Sequence, residues 1–385
     1  MKKVWNFLSY VLVAVAASVA TLAVSEAAAD RTPAKLTELA DLIEECFIGE
    51  SDRTAMEDAA AEAMVASLGD RWSYYIPADE YEVYREQVNN SYVGIGISIQ
   101  MMEDGSGLLV VKVNEGGPAE EAGMLAGDVI VRIEGQSTEG MSTSDARELV
   151  RGEEGSSVAI TVLRGTSEVP LTITRRQVQT VVASAQMLED NIGLVTITNF
   201  DNRCADETIT AIEALLEQGA QALLFDVRNN PGGYKKELVQ VLDYLLPEGP
   251  LFRSENYEGK VVVDESDASC LEIPMAVLVN GDSYSAAEFF AAAIREYDAG
   301  FVAGQQTCGK GYYQNTVRLS DGSAVGLSMG KYATPDGISL AEVGGLTPDI
   351  IIEVDEETAA RIYAGTLDPA EDPQIQAAVE ALKEK

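Results

Sequence analysis

The feature that most restricts the fold of this chain is an alternation of apolar runs and amphipathic segments that begins near residue 191. Unbroken apolar runs are typical of strands buried on both faces, and strands that alternate with helices form parallel sheets. The pattern predicts three strands and three helices in alternation, at residues 192–200, 205–218, 222–228, 235–246, 275–280 and 286–297. We therefore expect an α/β layer with a largely parallel sheet.

Two polar segments each lie between a predicted strand and a predicted helix: Asn-Asn-Pro-Gly-Gly at 229–233 and Ser-Tyr-Ser at 283–285. In parallel sheets the chemistry lies at the carboxyl ends of strands. Ser285 would open a helix, where its hydroxyl and the first-turn amides face one space with the positive helix end behind them. Serine is also a favoured N-cap residue, so its position alone is equally consistent with a capping role.

The chain has 385 residues and no histidine. This excludes every catalytic triad built on imidazole and removes the commonest zinc ligand. If Ser285 is a nucleophile, another group must act as its base, and Lys310 lies between two glycines after the next strand. A lysine can do so near pH 7 only if burial lowers its pKa from about 10.4 by roughly 3 units.

The net charge and the cysteine spacing exclude further classes of function. With 63 acidic and 27 basic residues the formal charge is -36, which repels nucleic acid, so no nucleic-acid partner is expected. The four cysteines contain no Cys-x-x-Cys pair, so neither a metal knuckle nor a redox motif is indicated. Their disulfide state is left open, and Cys308, two residues before Lys310, is either a packed thiol or a reactive one.

The amino terminus carries no charge from residue 4 to residue 25, after Lys2 and Lys3. As a helix this run reaches about 30 Å, enough to cross a bilayer. The pattern predicts an N-terminal anchor within residues 1–30 and a single-pass protein of the cell membrane with its catalytic domains outside the cytoplasm. The alternative is a signal peptide cleaved near residues 27–29, followed by secretion.

The rest of the chain separates by periodicity into four segments. Residues 31–90 have helical spacing, 91–176 contain short β-branched runs around one helix, 177–365 hold the α/β pattern, and 366–385 form a C-terminal tail.

Five motifs then follow one another in order. They are Leu-Phe-Asp-Val-Arg-Asn-Asn-Pro-Gly-Gly at 224–233, the run 280–288 with Ser-Tyr-Ser-Ala-Ala-Glu, Thr-Cys-Gly-Lys-Gly-x-x-Gln at 307–314, Lys-Tyr-Ala-Thr-Pro-Asp-Gly at 331–337 and Gly-Leu-Thr-Pro-Asp-Ile at 345–350. In this combination the chain resembles the C-terminal processing peptidases, also called tail-specific proteases.

The resemblance implies a multidomain α/β protein, with a helical N-terminal segment and a β-rich PDZ domain inserted before a crotonase-like serine protease core. It implies a serine endopeptidase in which Ser285 is the nucleophile, Lys310 the general base and Gln314 the residue that orients the lysine. No cofactor or metal ion is implied.

An oxyanion hole is implied as well, built from the amides of Gly232 or Gly233 and of Ala286. The chain departs from the family pattern at two positions. Cys308 replaces the usual phenylalanine, and Ala287 stands where many members have a further serine. Neither departure touches a reacting group.

The strand-rich segment resembles a PDZ domain through Tyr-Val-Gly-Ile-Gly-Ile at 92–97 and Gly-Pro-Ala-x-x-Ala-Gly at 117–123. Small residues in such a loop let successive amides gather around a terminal carboxylate, while the bound tail adds a strand beside it. The residues implied to bind the peptide are Val93, Gly94, Ile95, Gly96 and Ile97.

The expected partners are protein or peptide substrates with free C-termini, and a homo-oligomer is possible. A rival interpretation is a catalytically silent scaffold that only binds tails. A third is the penicillin-binding class, because residues 328–331 spell Ser-x-x-Lys. That motif requires a helix, whereas residues 324–332 have the pattern of a strand, which would separate the two side chains.

Overall fold

The computed structural model describes residues 31–102 and 104–384. These residues form two compact units that divide between Tyr75 and Ile76. The first unit contains α1 (Arg31–Cys46) and α2 (Arg53–Ala66), and β1 (Tyr74–Ile76) lies at the division. The helical character predicted for the start of residues 31–90 is present in this unit.

The predicted membrane anchor at residues 4–25 lies outside the described residues. Within the described ranges no helix combines the length and the apolar character needed to cross a bilayer. The longest of these helices, α1, has 16 residues, which corresponds to about 24 Å against a hydrocarbon core of roughly 30 Å. This finding contradicts the predicted localisation as a single-pass membrane protein, so that prediction is wrong.

The second unit begins with a strand-rich module. In chain order its elements are α3 (Tyr81–Val88), β2 (Ser91–Gly94), β3 (Ile97–Met101), β4 (Leu108–Val113), α4 (Pro118–Glu121), β5 (Val129–Ile133), β6 (Gln136–Ser137), α5 (Thr143–Val150), β7 (Ser157–Arg164), β8 (Ser167–Thr174) and β9 (Arg176–Gln179). The sheet order is β3-β4-β5-β7-β8, with β6 paired to β5, so β3 is an edge strand. Its apolar core includes Leu108, Ile130 and Ile160. The predicted β-rich module is confirmed, and α5 is the helix predicted within it. The structure adds a second helix of four residues, α4, which the sequence analysis does not predict.

The α/β layer follows. Its elements are β10 (Ala183–Met187), a 3-10 turn (Glu189–Asn191), β11 (Ile192–Ile197), α6 (Cys204–Glu217), β12 (Ala222–Asp226), α7 (Lys235–Leu245), β13 (Gly249–Asn256), β14 (Val261–Ser266), β15 (Met275–Val279), α8 (Ala286–Glu296), β16 (Gly300–Gly304), β17 (Tyr312–Arg318), β18 (Ala324–Ala333), α9 (Leu340–Val343), β19 (Ile350–Ile351), α10 (Glu356–Tyr363) and α11 (Pro373–Lys383). The sheet order β10-β11-β12-β15-β16-β19 is parallel except for β10. The predicted, largely parallel sheet is confirmed.

Each central strand is buried on both faces. On β12 the side chains of Leu223 and Phe225 join the core cluster that contains residues of α6, α7 and α8, while Leu224 joins the cluster on the other face. This alternation follows from the two-residue repeat of a strand. The carboxyl ends of β12, β15 and β16 therefore lie side by side at one edge.

A second sheet, with β17-β18-β13-β14 as neighbours, lies on the outer side of α8. Phe252 of β13 and Tyr332 of β18 contact Phe289 of α8, with ring centroids 5.0 Å and 5.6 Å from that phenylalanine. Edge-to-face aromatic pairs at these distances are favourable. The helix that begins at the predicted nucleophile is thus packed between two sheets.

The terminal segment 366–385, predicted to be a tail, contains α11. Ile375 and Val379 of α11 are buried against the sheet. The preceding Asp372 lies 2.8 Å from the Arg228 guanidinium, which also lies 2.6 Å from Asp226 at the end of β12. Buried cations of this kind require such partners, and this ion pair holds α11 to the layer.

Candidate active site

The predicted nucleophile Ser285 lies at the junction of the loop after β15 and the first turn of α8. It is 7% exposed, with φ 57° and ψ -125°. A residue with a side chain held at positive φ costs about 1–3 kcal/mol and persists only where its surroundings fix it. A strained strand-to-helix turn is also the way in which some hydrolases present a serine hydroxyl at a sheet edge.

Loop-to-loop hydrogen bonds provide that constraint. The side chains of Asn229 and Asn280 bond across the two loops, with Asn280 Nδ2 donating to Asn229 Oδ1 at 2.7 Å and Asn229 N donating to Asn280 Oδ1 at 2.9 Å. The amide of Tyr284 donates to the carbonyl of Asn230 at 3.1 Å. The asparagine motif after β12 therefore fixes the backbone that leads into the serine.

The double glycine approaches Ser285 closely. A Cβ at Gly232 would lie 2.8 Å from the Ser285 Cβ and 2.9 Å from the Ala286 nitrogen, and a Cβ at Gly233 would lie 2.2 Å from the Phe200 carbonyl carbon. Both glycines have positive φ, 90° and 149°. Only residues without a side chain fit here.

The three predicted oxyanion donors differ in their hydrogen bonding. Gly232 N donates to Asn230 Oδ1 at 2.8 Å. The amides of Gly233 and Ala286 have no acceptor within the described part of the chain. Gly233 and Ala286 therefore carry the two N–H groups that are open to a ligand.

A buried carboxylate joins the serine to the lysine loop. Glu288, fully buried in the first turn of α8, accepts hydrogen bonds through Oε2 from Ser285 N at 2.9 Å and from Lys310 N at 2.8 Å. Its Oε1 accepts from Thr307 Oγ1 at 2.5 Å and from Gly309 N at 2.7 Å. One side chain thus holds the backbone of both predicted catalytic residues.

Burial raises the pKa of Glu288 above its ordinary value, and the four hydrogen bonds act in the opposite direction. Glu288 ends the Ser-Tyr-Ser-Ala-Ala-Glu motif at 283–288, but no role is predicted for it from the sequence. Its position three residues after Ser285 is the spacing of a helix capping box, and that signal could have identified it.

The loop that carries Lys310 is also held from its other side. Leu346 N donates to Thr307 Oγ1 at 2.7 Å, and Thr307 N donates to the Leu346 carbonyl at 3.1 Å. A Cβ at Gly309 would lie 2.9 Å from Gly345 N, so the two backbones pack directly together. The Gly-Leu-Thr-Pro motif at 345–348 therefore serves to position this loop.

Lys310 itself is half-buried, and its Nζ lies 5.7 Å from the centre of the Tyr284 ring. Gln314 lies on β17 opposite Ser328 of β18, and its Nε2 donates to Ser328 Oγ at 3.0 Å and to the Tyr312 carbonyl at 3.3 Å. The structure thus brings together the loops of Ser285 and Lys310, with Gln314 on the strand that follows them.

Two other predictions concern neighbouring residues. Ser328 and Lys331 of the Ser-x-x-Lys motif lie on β18, so the strand predicted for this segment is confirmed. Cys308 is half-buried, and its amide donates to the Ser283 carbonyl at 3.2 Å. Within the described residues none of the four cysteines forms a disulfide.

The predicted peptide-binding loop borders a groove of about 470 Å³. The groove lies along the edge strand β3 and is lined by residues of α3, β2, β3 and α5, among them all five predicted ligand-binding residues, Val93, Gly94, Ile95, Gly96 and Ile97. Gly96 has φ 76°. The amides of Ile95 and Gly96 have no acceptor among the described residues, and adjacent free amides of this kind can hold an anion.

The second unit thus contains a strand-rich module with an exposed edge strand, followed by an α/β layer with Ser285 at the carboxyl ends of its strands. Residues 191–352 match the family model of peptidase family S41, and residues 109–164 match that of the PDZ domain. These matches agree with the resemblance to the C-terminal processing peptidases that the sequence motifs indicate. The fold class and the resemblance predicted from the sequence are confirmed.

Among curated relatives, the carboxy-terminal processing protease CtpA of Bacillus subtilis (strain 168) is 31% identical over 306 residues, which cover 79% of this chain and 65% of that protein. A protein of Staphylococcus haemolyticus described as a CtpA-like serine protease is 31% identical over 298 residues, 76% of this chain and 59% of its own length. The chain thus matches less than two thirds of the length of either relative.

The fold also resembles a crystal structure from Bacteroides fragilis NCTC 9343 that is assigned to the S41 proteases. The TM-score is 0.59 at 15% sequence identity, over 90% of this chain and 96% of the other. At this identity the likeness establishes the fold alone.

Proposed function

We propose that this protein is a serine endopeptidase that cleaves proteins at or near their C-terminal tails by a Ser-Lys mechanism, with the PDZ domain binding the substrate's C-terminus. The similarity to the CtpA proteases supports the reaction class. The site geometry supports the roles of the individual residues.

In the first step the neutral amine of Lys310 takes the proton of Ser285 Oγ as this oxygen attacks the scissile carbonyl carbon. A tetrahedral intermediate forms, and its oxyanion accepts hydrogen bonds from the amides of Ala286 and Gly233. The Gly232 amide already bonds Asn230, so its contribution is to leave room for the serine rather than to donate.

The Lys310 ammonium then returns its proton to the leaving amine, and the C–N bond breaks. This leaves the acyl group as an ester on Ser285. Water, deprotonated by the regenerated neutral Lys310, attacks that ester. The ester C–O bond breaks, the Lys310 ammonium returns its proton to Ser285 Oγ, and the new C-terminus is released. Gln314, four residues after Lys310, would limit the orientations of the lysine side chain.

The observation that carries this proposal is the Glu288 carboxylate. One of its oxygens, Oε2, accepts hydrogen bonds from the backbone amides of both Ser285 and Lys310. A buried anion has a large desolvation cost. The placement of the Glu288 carboxylate between these two residues is explained if catalysis requires a fixed distance between Ser285 and Lys310. A domain that only packs has no need of it.

The experiment is cleavage of an unfolded peptide across a pH series by the wild type, Ser285→Ala and Lys310→Arg. The wild-type rate should rise with pH as the amine loses its proton. Both variants should be inactive, since arginine retains the charge but does not release its proton. Strong activity in Lys310→Arg would refute the Ser-Lys mechanism, and a wild type that binds tails without cleaving them would indicate the silent scaffold.

A further inference from the structure

One face of α5 lines the peptide groove of the PDZ domain. Thr143, Arg147 and Val150, at the spacing i, i+4 and i+7, all border the groove, as expected for residues that share one side of a helix. An arginine in the middle of this face is notable in a chain whose formal charge is -36.

The guanidinium of Arg147 forms no ion pair and no hydrogen bond with any residue in the described ranges. By contrast, Arg151, one turn further along, lies 3.8 Å from Glu86 of α3, and the other oxygen of Glu86 accepts from Val93 N at 3.3 Å. Elsewhere in the module Arg132 is paired with Glu168 at 2.8 Å. Arg147 is therefore the groove cation that a ligand can neutralise.

The register of a bound tail follows from the fold. The free amides of Ile95 and Gly96 precede the edge strand β3, so a tail whose carboxylate sits on them adds antiparallel to β3. Alternate side chains of that tail, the last residue and the one two before it, face α5. The contact of Glu86 with Val93 and Arg151 places the Arg151 end of α5 near the carboxylate loop.

Arg147 lies one helical turn further from that loop than Arg151. Four residues of helix advance about 6 Å, and two residues of strand advance about 6.6 Å. Arg147 is therefore level with the side chain two residues before the C-terminus. The last side chain meets the apolar part of the groove, which includes Ile95, Ile97 and Val150.

We propose that this PDZ groove selects protein tails that end in an apolar residue and carry aspartate or glutamate two residues before it, through an ion pair with Arg147. This inference rests on the proposed function and specifies its substrate class.

The test uses the full chain with Ser285→Ala, which prevents cleavage, and fluorescent peptides measured by anisotropy. A peptide ending Asp-Ser-Leu should bind about fivefold more tightly than one ending Asn-Ser-Leu, the scale expected for a partly exposed ion pair. Moving the aspartate to the next-to-last position should remove the preference, because that side chain faces away from α5. Raising the salt concentration to about 1 M should also reduce it.

The control compares Arg147→Gln with Arg132→Gln, which removes the same charge from the same domain. Only the first should abolish the preference for aspartate, and Arg147→Lys should retain part of it. If Arg147→Gln proves unstable, the Asp and Asn peptides on the unaltered groove still decide the question.

Two failures can be distinguished. Equal affinity for the Asp and Asn peptides, on a chain that still binds a free C-terminus better than its amide, refutes the inference and leaves the proposed function standing. Equal affinity for the free acid and the amide refutes tail binding itself, and the inference with it.

Discussion

Replacing Glu288 with glutamine is the sharpest test of how the site is held together. The substitution preserves the shape of the side chain but replaces one acceptor oxygen with an NH2 group. Whichever oxygen is replaced, two donors lose their acceptor and face another donor: either Thr307 Oγ1 and Gly309 N, or Ser285 N and Lys310 N.

The magnitude follows from the count of bonds. Each hydrogen bond to a charged group is worth about 1.5–3 kcal/mol, so losing two removes about 3–6 kcal/mol. Burial raises the pKa of Glu288, which means that the folded protein holds this charge at a cost, and neutral glutamine recovers part of it. We expect a net loss of about 2–4 kcal/mol in the free energy of unfolding.

The rate should fall by more than the stability alone accounts for. Misplacement of a catalytic group by about 1 Å costs on the order of a hundredfold in rate. In either orientation of the glutamine, hydrogen bonds that fix the backbone of Ser285 and Lys310, or of the loop that carries Lys310, are lost. We therefore expect kcat to fall about a hundredfold in Glu288→Gln. Substrate binding to the PDZ domain should be unchanged.

The assay combines urea unfolding, peptide cleavage under conditions where each variant is folded, and tail binding. The matched control is Glu237→Gln on α7, another buried glutamate, whose Oε2 accepts from Ala205 N at 2.9 Å. It should lose some stability and retain its rate. A folded Glu288→Gln protein with the wild-type kcat would refute the idea that this carboxylate positions the site.

Three further outcomes are expected. In peptide cleavage the double variant Ser285→Ala, Lys310→Ala should be no less active than either single variant, because the rate losses from substitutions within one catalytic unit are not additive. Additive losses would show that the two residues act independently. Burial, with a contribution from Glu237, raises the pKa of Asp201 to about 7, above an unfolded value of about 3.9. Proton binding by Asp201 stabilises the folded protein fully below about pH 4, and this stabilisation is lost as the pH rises to about 7. In urea unfolding the wild type should therefore lose about 2–3 kcal/mol relative to Asp201→Asn between pH 5 and pH 8. Parallel pH profiles of the two proteins would contradict this. Gly233→Ala should lower the melting temperature and abolish cleavage, because its Cβ would lie 2.2 Å from the Phe200 backbone; a stable, active variant would show that this backbone can move.

The α/β layer could be predicted from sequence because its signal is local. A strand such as β12 (Ala222–Asp226) is apolar on both faces, and the polar loop at 229–233 follows it immediately. The helix predicted at 286–297 is α8 (Ala286–Glu296). The position of the site follows from the same information, since the ends of adjacent parallel strands must meet.

What the sequence does not reveal depends on contacts between distant segments. α11 (Pro373–Lys383) has few large apolar residues, and its role in the core becomes visible only when Ile375 and Val379 meet the far face of the sheet. The same holds for Asp372, which has no evident role until the Arg228 guanidinium lies beside it. Composition alone therefore favours a tail over a packed helix.

Glu288 shows why a capping motif can also organise a site. At the start of an ordinary helix, a glutamate in this position bonds the backbone of its own cap, as Glu288 does with Ser285. Here its remaining lone pairs receive three donors from the loop after β16, 19 to 22 residues further along the chain. The strained backbone of Ser285 is thereby coupled to the lysine loop, and any substitution that shifts Thr307 or Gly309 should alter the serine without touching it. In the proposed mechanism, a helix cap fixes the distance between the nucleophile and its base.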